Sequence, residues 1–328
     1  MMKLPLFFLS IIALNLQAQT SLRGLSLVNE TTAWCSGSNG TVQLCTNGKD
    51  WENVSPAGYG TKDFRAIHAY DKNTALILSI ADSTVILRTT NGGKNWELVY
   101  ENNTTGIFFD DFAFEGAKGF ALADPMPEGT DYHHPFIITN DSGKTWNTFI
   151  NRIFYNAHSQ AGLFSASASN TLLYEQKLMA IVGGPQAYFL SSEYGKVPLP
   201  IKSGGAFGPY SMAQRKKCIV VVGGSYSQKN YSDSIGCYSK NLGKTWQIFK
   251  TMTNGYKSSI KYFKKRQLIA VGTTGIDVSM NHGKSWKTIS TNSYNTVEIY
   301  KNSIWIVGNN GLKIRLTTSK LKTLTIPF

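Results

Sequence analysis

Short apolar runs recur along the chain and are separated by polar turns. One stretch has four of them in succession, at 64–70, 74–80, 85–89 and 96–100. The same arrangement returns further along, at 258–263, 267–272, 275–279 and 285–290. Runs of this length, bounded by turn-forming residues, predict β-strands. No long segment has the 3.6-residue period of an amphipathic helix, so the sequence predicts an all-β fold built from four-stranded units.

A polar motif that ends in tryptophan marks these units. Four copies have eight residues each: Thr-Thr-Asn-Gly-Gly-Lys-Asn-Trp at 89–96, Thr-Asn-Asp-Ser-Gly-Lys-Thr-Trp at 139–146, Ser-Lys-Asn-Leu-Gly-Lys-Thr-Trp at 239–246 and Ser-Met-Asn-His-Gly-Lys-Ser-Trp at 279–286. A contracted copy lies at 46–51, and two worn copies lie at 191–198 and 317–324. Successive copies end 38 to 52 residues apart, which is the period of a propeller blade.

The residue types in the motif indicate a structural role. Its Asp or Asn side chain can accept hydrogen bonds from backbone N–H groups just downstream and so fix a turn. The glycine three residues before the tryptophan tolerates a left-handed backbone, and the indole buries a large face. We therefore interpret these residues as structural: Trp51, Asn91, Trp96, Asp141, Trp146, Asn241, Trp246, Asn281 and Trp286.

These copies resemble the Asp-box, also called the bacterial neuraminidase repeat. Their spacing and their Gly-Lys-Thr-Trp endings also resemble the photosystem II stability/assembly factor family and its exported bacterial relatives. The resemblance implies a seven-bladed β-propeller of four-stranded antiparallel blades, with the Asp-boxes at the blade periphery. We expect the chain to end on an outer strand and the ring to close without a swapped strand. The expected blades are 20–55, 62–102, 107–152, 160–203, 208–251, 257–291 and 295–328.

Residues 1–18 are predicted to be a cleavable signal peptide. Lys3 gives a positive start, an apolar stretch follows, and Ala18 supplies a small residue for cleavage. The stretch is shorter than the roughly 20 residues that span a bilayer, and no other segment is apolar enough to do so. The remaining residues, 19–328, are predicted to form one domain in the periplasm or outside the cell.

Export would place the four cysteines in an oxidising compartment, where disulfides persist. Cys218 and Cys237 fall on consecutive predicted strands and are a possible disulfide, and Cys35 and Cys45 flank a hairpin in the same way. The alternative is that all four are small buried apolar side chains.

Charge is distributed unequally along the chain. Residues 1–201 carry 13 Lys and Arg against 17 Asp and Glu, whereas residues 202–328 carry 20 against 3, so the two parts have net charges of −4 and +17. In a propeller, the loops between first and second strands emerge on the same face as the turns between third and fourth strands. We predict a basic face that contains Arg215, Lys216, Lys217, Lys264, Lys265 and Arg266. Such a field attracts anions, although it could also serve only solubility.

The inner strands of a propeller begin at the opposite face, so their first residues ring the mouth of the channel. These residues are predicted to be Arg23, Arg65, Asp110, His158 and Glu298. A mixed ring of charges could hold a small polar ligand. Alternatively, the residues could pair with one another and simply fill the channel.

The candidate chemistry favours binding over catalysis. A resemblance to sialidases would imply three arginines around a carboxylate, and only Arg23 and Arg65 fall where such arginines could be. No nucleotide-binding glycine motif, metal site or nucleic-acid recognition motif is present, so no cofactor is predicted. The leading hypothesis is an exported, monomeric, non-catalytic scaffold that binds an envelope protein or an anionic glycan or lipid. The alternative is a carbohydrate-binding or sialidase-like glycoside hydrolase that acts at the channel mouth.

Overall fold

The computed structural model describes residues 20–80, 83–149, 154, 156–164 and 166–325, so the predicted signal peptide lies outside the described residues. Seven antiparallel sheets, which follow one another along the chain, are arranged radially around a channel, and an eighth, two-stranded sheet is inserted in the third of them. The molecule is therefore a seven-bladed β-propeller. No helix in the described part of the chain has the length and hydropathy needed to cross a bilayer.

In each blade the first strand is innermost and the strands follow one another outwards. Blade 1 contains β1 (Leu22–Leu27), β2 (Ala33–Gly37), β3 (Val42–Cys45) and β4 (Trp51–Asn53). Blade 2 contains β5 (Asp63–Ala69), β6 (Ala75–Ile80), β7 (Thr84–Thr89) and β8 (Glu97–Asn102). Blade 3 contains β9 (Phe109–Glu115), β10 (Lys118–Ala123), an inserted hairpin of β11 (Met126–Glu128) and β12 (Asp131–His133), then β13 (Phe136–Thr139) and β14 (Asn147–Thr148).

The remaining blades repeat this order. Blade 4 contains β15 (Thr171–Tyr174), β16 (Lys177–Val182), β17 (Tyr188–Ser191) and β18 (Gly195–Pro198). Blade 5 contains β19 (Phe207–Arg215), β20 (Cys218–Ser225), β21 (Gly236–Ser239) and β22 (Gln247–Ile248). Blade 6 contains β23 (Ser259–Tyr262), β24 (Leu268–Gly272), β25 (Gly275–Ser279) and β26 (Lys287–Ser290). Blade 7 contains β27 (Thr296–Tyr300), β28 (Ser303–Val307) and β29 (Lys313–Thr317), followed by α1 (Thr318–Thr325).

The end of blade 7 differs from the sequence expectation. An outer strand was expected there, but the described chain continues from β29 into α1. This segment lacks both the glycine and the tryptophan that the turn motif uses elsewhere. Its Thr-Ser start suits a helix N-terminus, and Leu321 is buried in the cluster between blades 6 and 7. The helix therefore covers the blade by burying one apolar residue where a fourth strand was expected.

Each blade is buried on both of its faces, which explains why the second strands read as continuous apolar runs. All six residues of β6 are buried. Because side chains alternate along a strand, Ala75 and Ile77 pack towards blade 1, while Leu76 and Leu78 pack towards blade 3.

Among the described residues, such an apolar cluster lies at each boundary between neighbouring blades, and the one between blades 7 and 1 closes the ring. Leu22 and Leu25 of blade 1 pack there with Trp305 of blade 7. The backbone N–H of Leu22 also donates to the carbonyl oxygen of Gly308 at 3.1 Å. The first and last blades use separate strands in the described chain, so packing closes the propeller.

The turn motif has nearly the same hydrogen bonds in its four eight-residue copies. In blade 3, Asp141 Oδ1 accepts the backbone N–H of Thr145 at 3.0 Å, and Thr139 Oγ1 accepts that of Gly143 at 3.0 Å. The three copies with Asn in place of Asp make the equivalent Asn bond at 3.0 Å, from Asn91, Asn241 and Asn281. The amide oxygen thus replaces the carboxylate in this turn.

The glycine and tryptophan of the motif pack at the boundary with the preceding blade. An ideal Cβ on Gly243 would lie 2.2 Å from the ring of Phe189 in blade 4. Trp246 contacts the same ring in a T-shaped arrangement, with centroids 5.2 Å apart. Trp96 stacks edge-on against Trp34 of blade 1, and its Nε1 donates to Val54 O at 2.8 Å. The motif therefore joins blades as well as fixing a turn.

The structure does not pair Cys218 with Cys237, which the sequence left as a possible disulfide. All four cysteines are free thiols. Cys237 lies opposite Val221 in the β20–β21 ladder, three positions from Cys218, which is too far for a disulfide without backbone movement. Cys35 and Cys45 are also out of register, because Cys35 lies opposite Gln43. Cys35, Cys45 and Cys237 are buried, as small apolar side chains are.

Two glycines with similar backbones test the boundary role of the motif. Gly243 has φ +90° and Gly195, in the worn copy, has φ +72°, but only Gly243 has a neighbour where a Cβ would be. The left-handed strain is common to both sites. We expect Gly243→Ala to lower the free energy of unfolding by about 1–3 kcal/mol more than Gly195→Ala, because only the first creates overpacking. Urea unfolding measures the difference, and equal losses would contradict the boundary role.

Candidate functional site

A cavity of about 450 Å³ opens where the inner strands begin, at the mouth of the channel. All seven blades contribute to it, through their strands or their connecting segments. The lining residues used below are Arg23, Arg65, Asp110, Asp124, Phe164, Tyr210, Tyr226 and Tyr256.

Four of the lining residues occupy β-bulges in the inner strands. The ladder between β1 and β2 skips Arg23, and the ladder between β5 and β6 skips Arg65. Asp110 is skipped in the same way in blade 3, and Tyr210 in blade 5. A bulge bends its strand and re-aims one side chain. Four separate blades thus present their bulged residue to one cavity.

The two arginines lie on neighbouring inner strands that approach each other closely. An ideal Cβ on Gly24 would lie 3.1 Å from the carbonyl oxygen of Arg65, so the absence of a side chain at Gly24 allows the approach. Arg23 Nη1 donates to Ala166 O at 3.1 Å, and Arg65 Nε donates to Asp63 Oδ2 at 3.0 Å. Burial, followed by the neighbouring positive charge of Arg65, lowers the pKa of Arg23.

Asp110 and Asp124 form a coupled carboxyl pair at the base of the cavity. Burial and then the charge of Asp124 raise the pKa of Asp110 well above its ordinary value. Burial raises the pKa of Asp124 to about 6, although Asp124 accepts the Leu163 N–H at 2.7 Å. A hydrogen bond between the two carboxyls contributes to these shifts, raising the pKa of Asp110 and lowering that of Asp124. Asp111, the next residue, turns away and accepts three hydrogen bonds from Asn170 and Thr171 of the neighbouring blade.

Aromatic rings form the wall of the cavity opposite the arginines' strands. The rings of Phe164 and Tyr210 have centroids 5.0 Å apart, and those of Tyr210 and Tyr256 are 4.7 Å apart. Tyr210 and Tyr256 are buried, whereas Tyr226 is 66% exposed. The cavity therefore combines cationic donors with an aromatic wall whose rings meet edge-on and tilted.

The structure corrects two of the five predicted mouth residues. His158 lies in a separate cavity with His134 and Lys196, at the outer part of blades 3 and 4. Glu298 lines a different cavity beside His68 and pairs with Lys261. The cause is local: β27 has no bulge, and Glu298 lies two residues beyond Thr296, whose hydroxyl donates to the Arg23 carbonyl oxygen. Arg23, Arg65 and Asp110 come together at the mouth as predicted.

The lysine- and arginine-rich loops lie at the other end of the blades. In blade 5 the Leu242 N–H of the outer turn donates to the Lys217 carbonyl oxygen at 2.9 Å, and in blade 6 the His282 N–H donates to that of Arg266 at 2.9 Å. The two kinds of loop thus touch and share one face. We call its positive part the basic face, composed of Arg215, Lys216, Lys217, Lys240, Lys264, Lys265, Arg266 and Lys284.

Few acidic residues of this half are available to neutralise the basic face. Of the three in residues 202–328, Asp277 is fully buried against Lys257, with Nζ and Oδ2 2.8 Å apart. Glu298 pairs with Lys261 inside the channel. Asp233 accepts a hydrogen bond from Ser234 at 3.0 Å in the long loop of the opposite face. Between blades 5 and 6, Lys240, Arg266 and Lys284 line a groove of about 360 Å³ beside His282. Burial, followed by the positive charges of Arg266 and Lys284, lowers the pKa of that histidine.

In the part of the chain that the structure describes, no group of His, Cys, Asp or Glu could hold a metal ion. Besides its two arginines, its carboxyl pair and its aromatic rings, the mouth is lined by the polar side chains of Ser258, Thr273, Asn295 and Asn309.

Comparisons with solved structures place the chain among seven-bladed propellers. YCF48 bound to a D1 peptide superposes with a TM-score of 0.63 at 14% identity, over 91% of this chain and 94% of that one. YCF48 from Cyanidioschyzon merolae gives 0.66 at 14% identity, over 93% and 98%. The WD40 propeller domain of Doa1 gives 0.58 at 12% identity, over 92% and 95%. No protein-family model matches the chain, and neither does any curated protein. These similarities establish the fold.

The carboxyl pair predicts an unusual pH dependence. A carboxyl whose pKa is higher in the folded protein than in the unfolded chain favours folding in acid, and this contribution is lost as the pH rises above about 4. Asp110→Asn imitates the protonated form and keeps a hydrogen-bond donor for Asp124. We therefore expect the variant to lose less stability than the wild type as the pH rises from about 4, which is near the unfolded pKa of Asp, towards about 7. Urea unfolding across this range tests it, and parallel curves for the two proteins would refute a raised pKa at Asp110.

Proposed function

We propose that this chain is an exported, non-catalytic propeller that binds an acidic protein partner through the basic face, as an assembly factor would. The observation that supports it most is the position of the charge. Positive side chains from blades 5 and 6 lie together on one face, while the acidic residues of that half are engaged elsewhere. Such a field steers an oppositely charged partner and selects against basic ones.

The fold is consistent with this role. One structural neighbour, YCF48, was solved with a D1 peptide bound, so a propeller of this shape can serve as a peptide-binding scaffold. Rigid blades hold loops in fixed positions, and such loops are the usual binding apparatus of a scaffold. Nothing in the blades indicates a photosystem as the client of this chain.

Two further sequence expectations enter here as proposals. The turn motif is proposed to be a degenerate Asp-box, because its Asp or Asn accepts the same backbone hydrogen bond in blades 2, 3, 5 and 6. Export through residues 1–18 is proposed from the sequence alone. Analysis of the mature protein by N-terminal sequencing tests it.

A glycoside hydrolase at the mouth has less support. Glycosidases that use two carboxylates hold them about 5–10 Å apart, with room for a sugar or a water between them. Asp110 and Asp124 are in hydrogen-bonding contact with each other, which fits neither arrangement. The two arginines that the alternative would use do converge there, and they support binding of an anion in preference to bond cleavage.

The basic face offers a well-matched experiment. The test variant carries Lys216→Glu, Lys217→Glu, Lys265→Glu and Arg266→Glu. The control variant carries Lys49→Glu, Lys72→Glu, Lys94→Glu and Lys144→Glu, which change the same number of exposed charges on the same face of blades 1 to 3. We expect only the test variant to lose binding to polyglutamate and to crosslinked partners from the native cell envelope.

The salt dependence provides a second measurement. Binding through exposed charges should weaken when the ionic strength rises from about 0.05 M to about 0.3 M, since screening shortens the Debye length. Equal binding by the test and control variants would contradict the proposal. Binding to heparin or to anionic lipid vesicles without binding to acidic protein would assign the basic face to a glycan or a membrane. This result would also overturn the proposal of an acidic protein partner.

A further inference from the structure

The cavity at the channel mouth is a second site with a chemistry of its own, on the face opposite the basic face. Four blades each contribute the bulged residue of their inner strand to its lining. A bulge interrupts the hydrogen bonding of its ladder. When bulges in several strands all direct their side chains into one cavity, the arrangement is typical of a binding site.

The charge in the cavity fits a single negative charge on a ligand. Arg65 is paired with Asp63. No carboxylate among the described residues lies within 4.0 Å of the Arg23 guanidinium, whose Nη1 is held by Ala166 O. Arg23 is thus a positive charge with no carboxylate in contact, whereas Arg65, beside it, shares its charge with Asp63. Asp63 and Asp124 would repel a dianion more strongly than a monoanion.

The shape of the remaining wall specifies the rest of the ligand. Phe164, Tyr210 and Tyr256 form a contiguous aromatic surface, and the exposed ring of Tyr226 stands at the rim. Flat apolar groups pack well against such rings in offset or edge-on geometry. A planar guanidinium also matches the two oxygens of a carboxylate.

We propose that the mouth cavity binds an organic monocarboxylate with a flat apolar body, its carboxylate held by Arg23 in the positive field that Arg65 adds, and its body packed on Tyr210, Tyr226 and Tyr256. Two sources can supply this chemistry: a free aromatic acid, or the C-terminal residue of a peptide. The site is independent of the basic face, so each can fail without the other.

Calorimetry with phenylacetate and its neutral matched control, phenylacetamide, tests the charge requirement. We expect phenylacetate to bind and phenylacetamide and acetate to bind at least tenfold more weakly, because one lacks the charge and the other lacks the ring. Phenyl phosphate should also bind more weakly than phenylacetate. A short peptide ending in phenylalanine, with a free or an amidated C-terminus, distinguishes the two sources.

Variants locate the site. Arg23→Gln and Arg65→Gln should each weaken phenylacetate binding about 10- to 100-fold, and Arg23→Lys should not restore it, since an ammonium lacks the planar fork. Arg88→Gln is the matched control, because Arg88 is a half-buried arginine that bonds Ser142 O outside the cavity. Tyr226→Ala removes an exposed ring and should weaken binding without affecting folding.

The outcomes are decisive in either direction. Equal affinity for phenylacetate and phenylacetamide, stronger binding of phenyl phosphate, or wild-type affinity in Arg23→Gln, Arg65→Gln and Tyr226→Ala would each overturn the proposal. The variant with four charge reversals on the basic face should bind phenylacetate like the wild type. A loss of phenylacetate binding in that variant would show that the mouth is not a separate site.

Discussion

The burial of both faces of every blade is the constraint on which this structure depends. A sheet with two apolar faces is not stable alone in water. Each blade therefore buries both faces by packing between two other blades. The seven interblade clusters make the ring self-closing, and radial closure protects the sheet edges. Trp305 of blade 7 meets Trp51 of blade 1 across the final boundary, with ring centroids 5.6 Å apart. Closure thus relies on the same kind of aromatic contact that joins blades elsewhere.

The turn motif couples local and long-range structure. Within its own blade it fixes the outer turn through a side-chain oxygen, and at the blade boundary it packs a glycine and an indole against the neighbour. A single segment of eight residues therefore sets both the path of the chain and the spacing between blades. The worn copy in blade 4 keeps the left-handed glycine but has no neighbour close to it. The copy in blade 7 is replaced by a helix that buries Leu321.

The two candidate sites arise from different properties of the fold. The basic face forms because equivalent loops of successive blades emerge on the same side of the propeller. Lysines and arginines that are enriched in one part of the sequence are thereby collected on one surface. The mouth needs departures from regularity, because inner-strand residues reach the cavity through bulges. The first supports binding of a large acidic partner, and the second supports recognition of a small anion. They lie at opposite ends of the blades and can act independently.

The sequence alone determined the repeat, the all-β class and the blade count, because a turn motif with a fixed period requires only local chemistry and buried indoles. It also predicted the shared face of the basic loops, which follows from strand order. It could not show that Cys218 and Cys237 are three positions out of register, nor that Thr318 begins a helix, because both depend on pairing and packing between distant segments. For the mouth it identified Arg23, Arg65 and Asp110 but misplaced His158 and Glu298. Which inner-strand residue faces the cavity is decided by the bulges, and a bulge is a mismatch between two paired strands that neither strand's own sequence reveals.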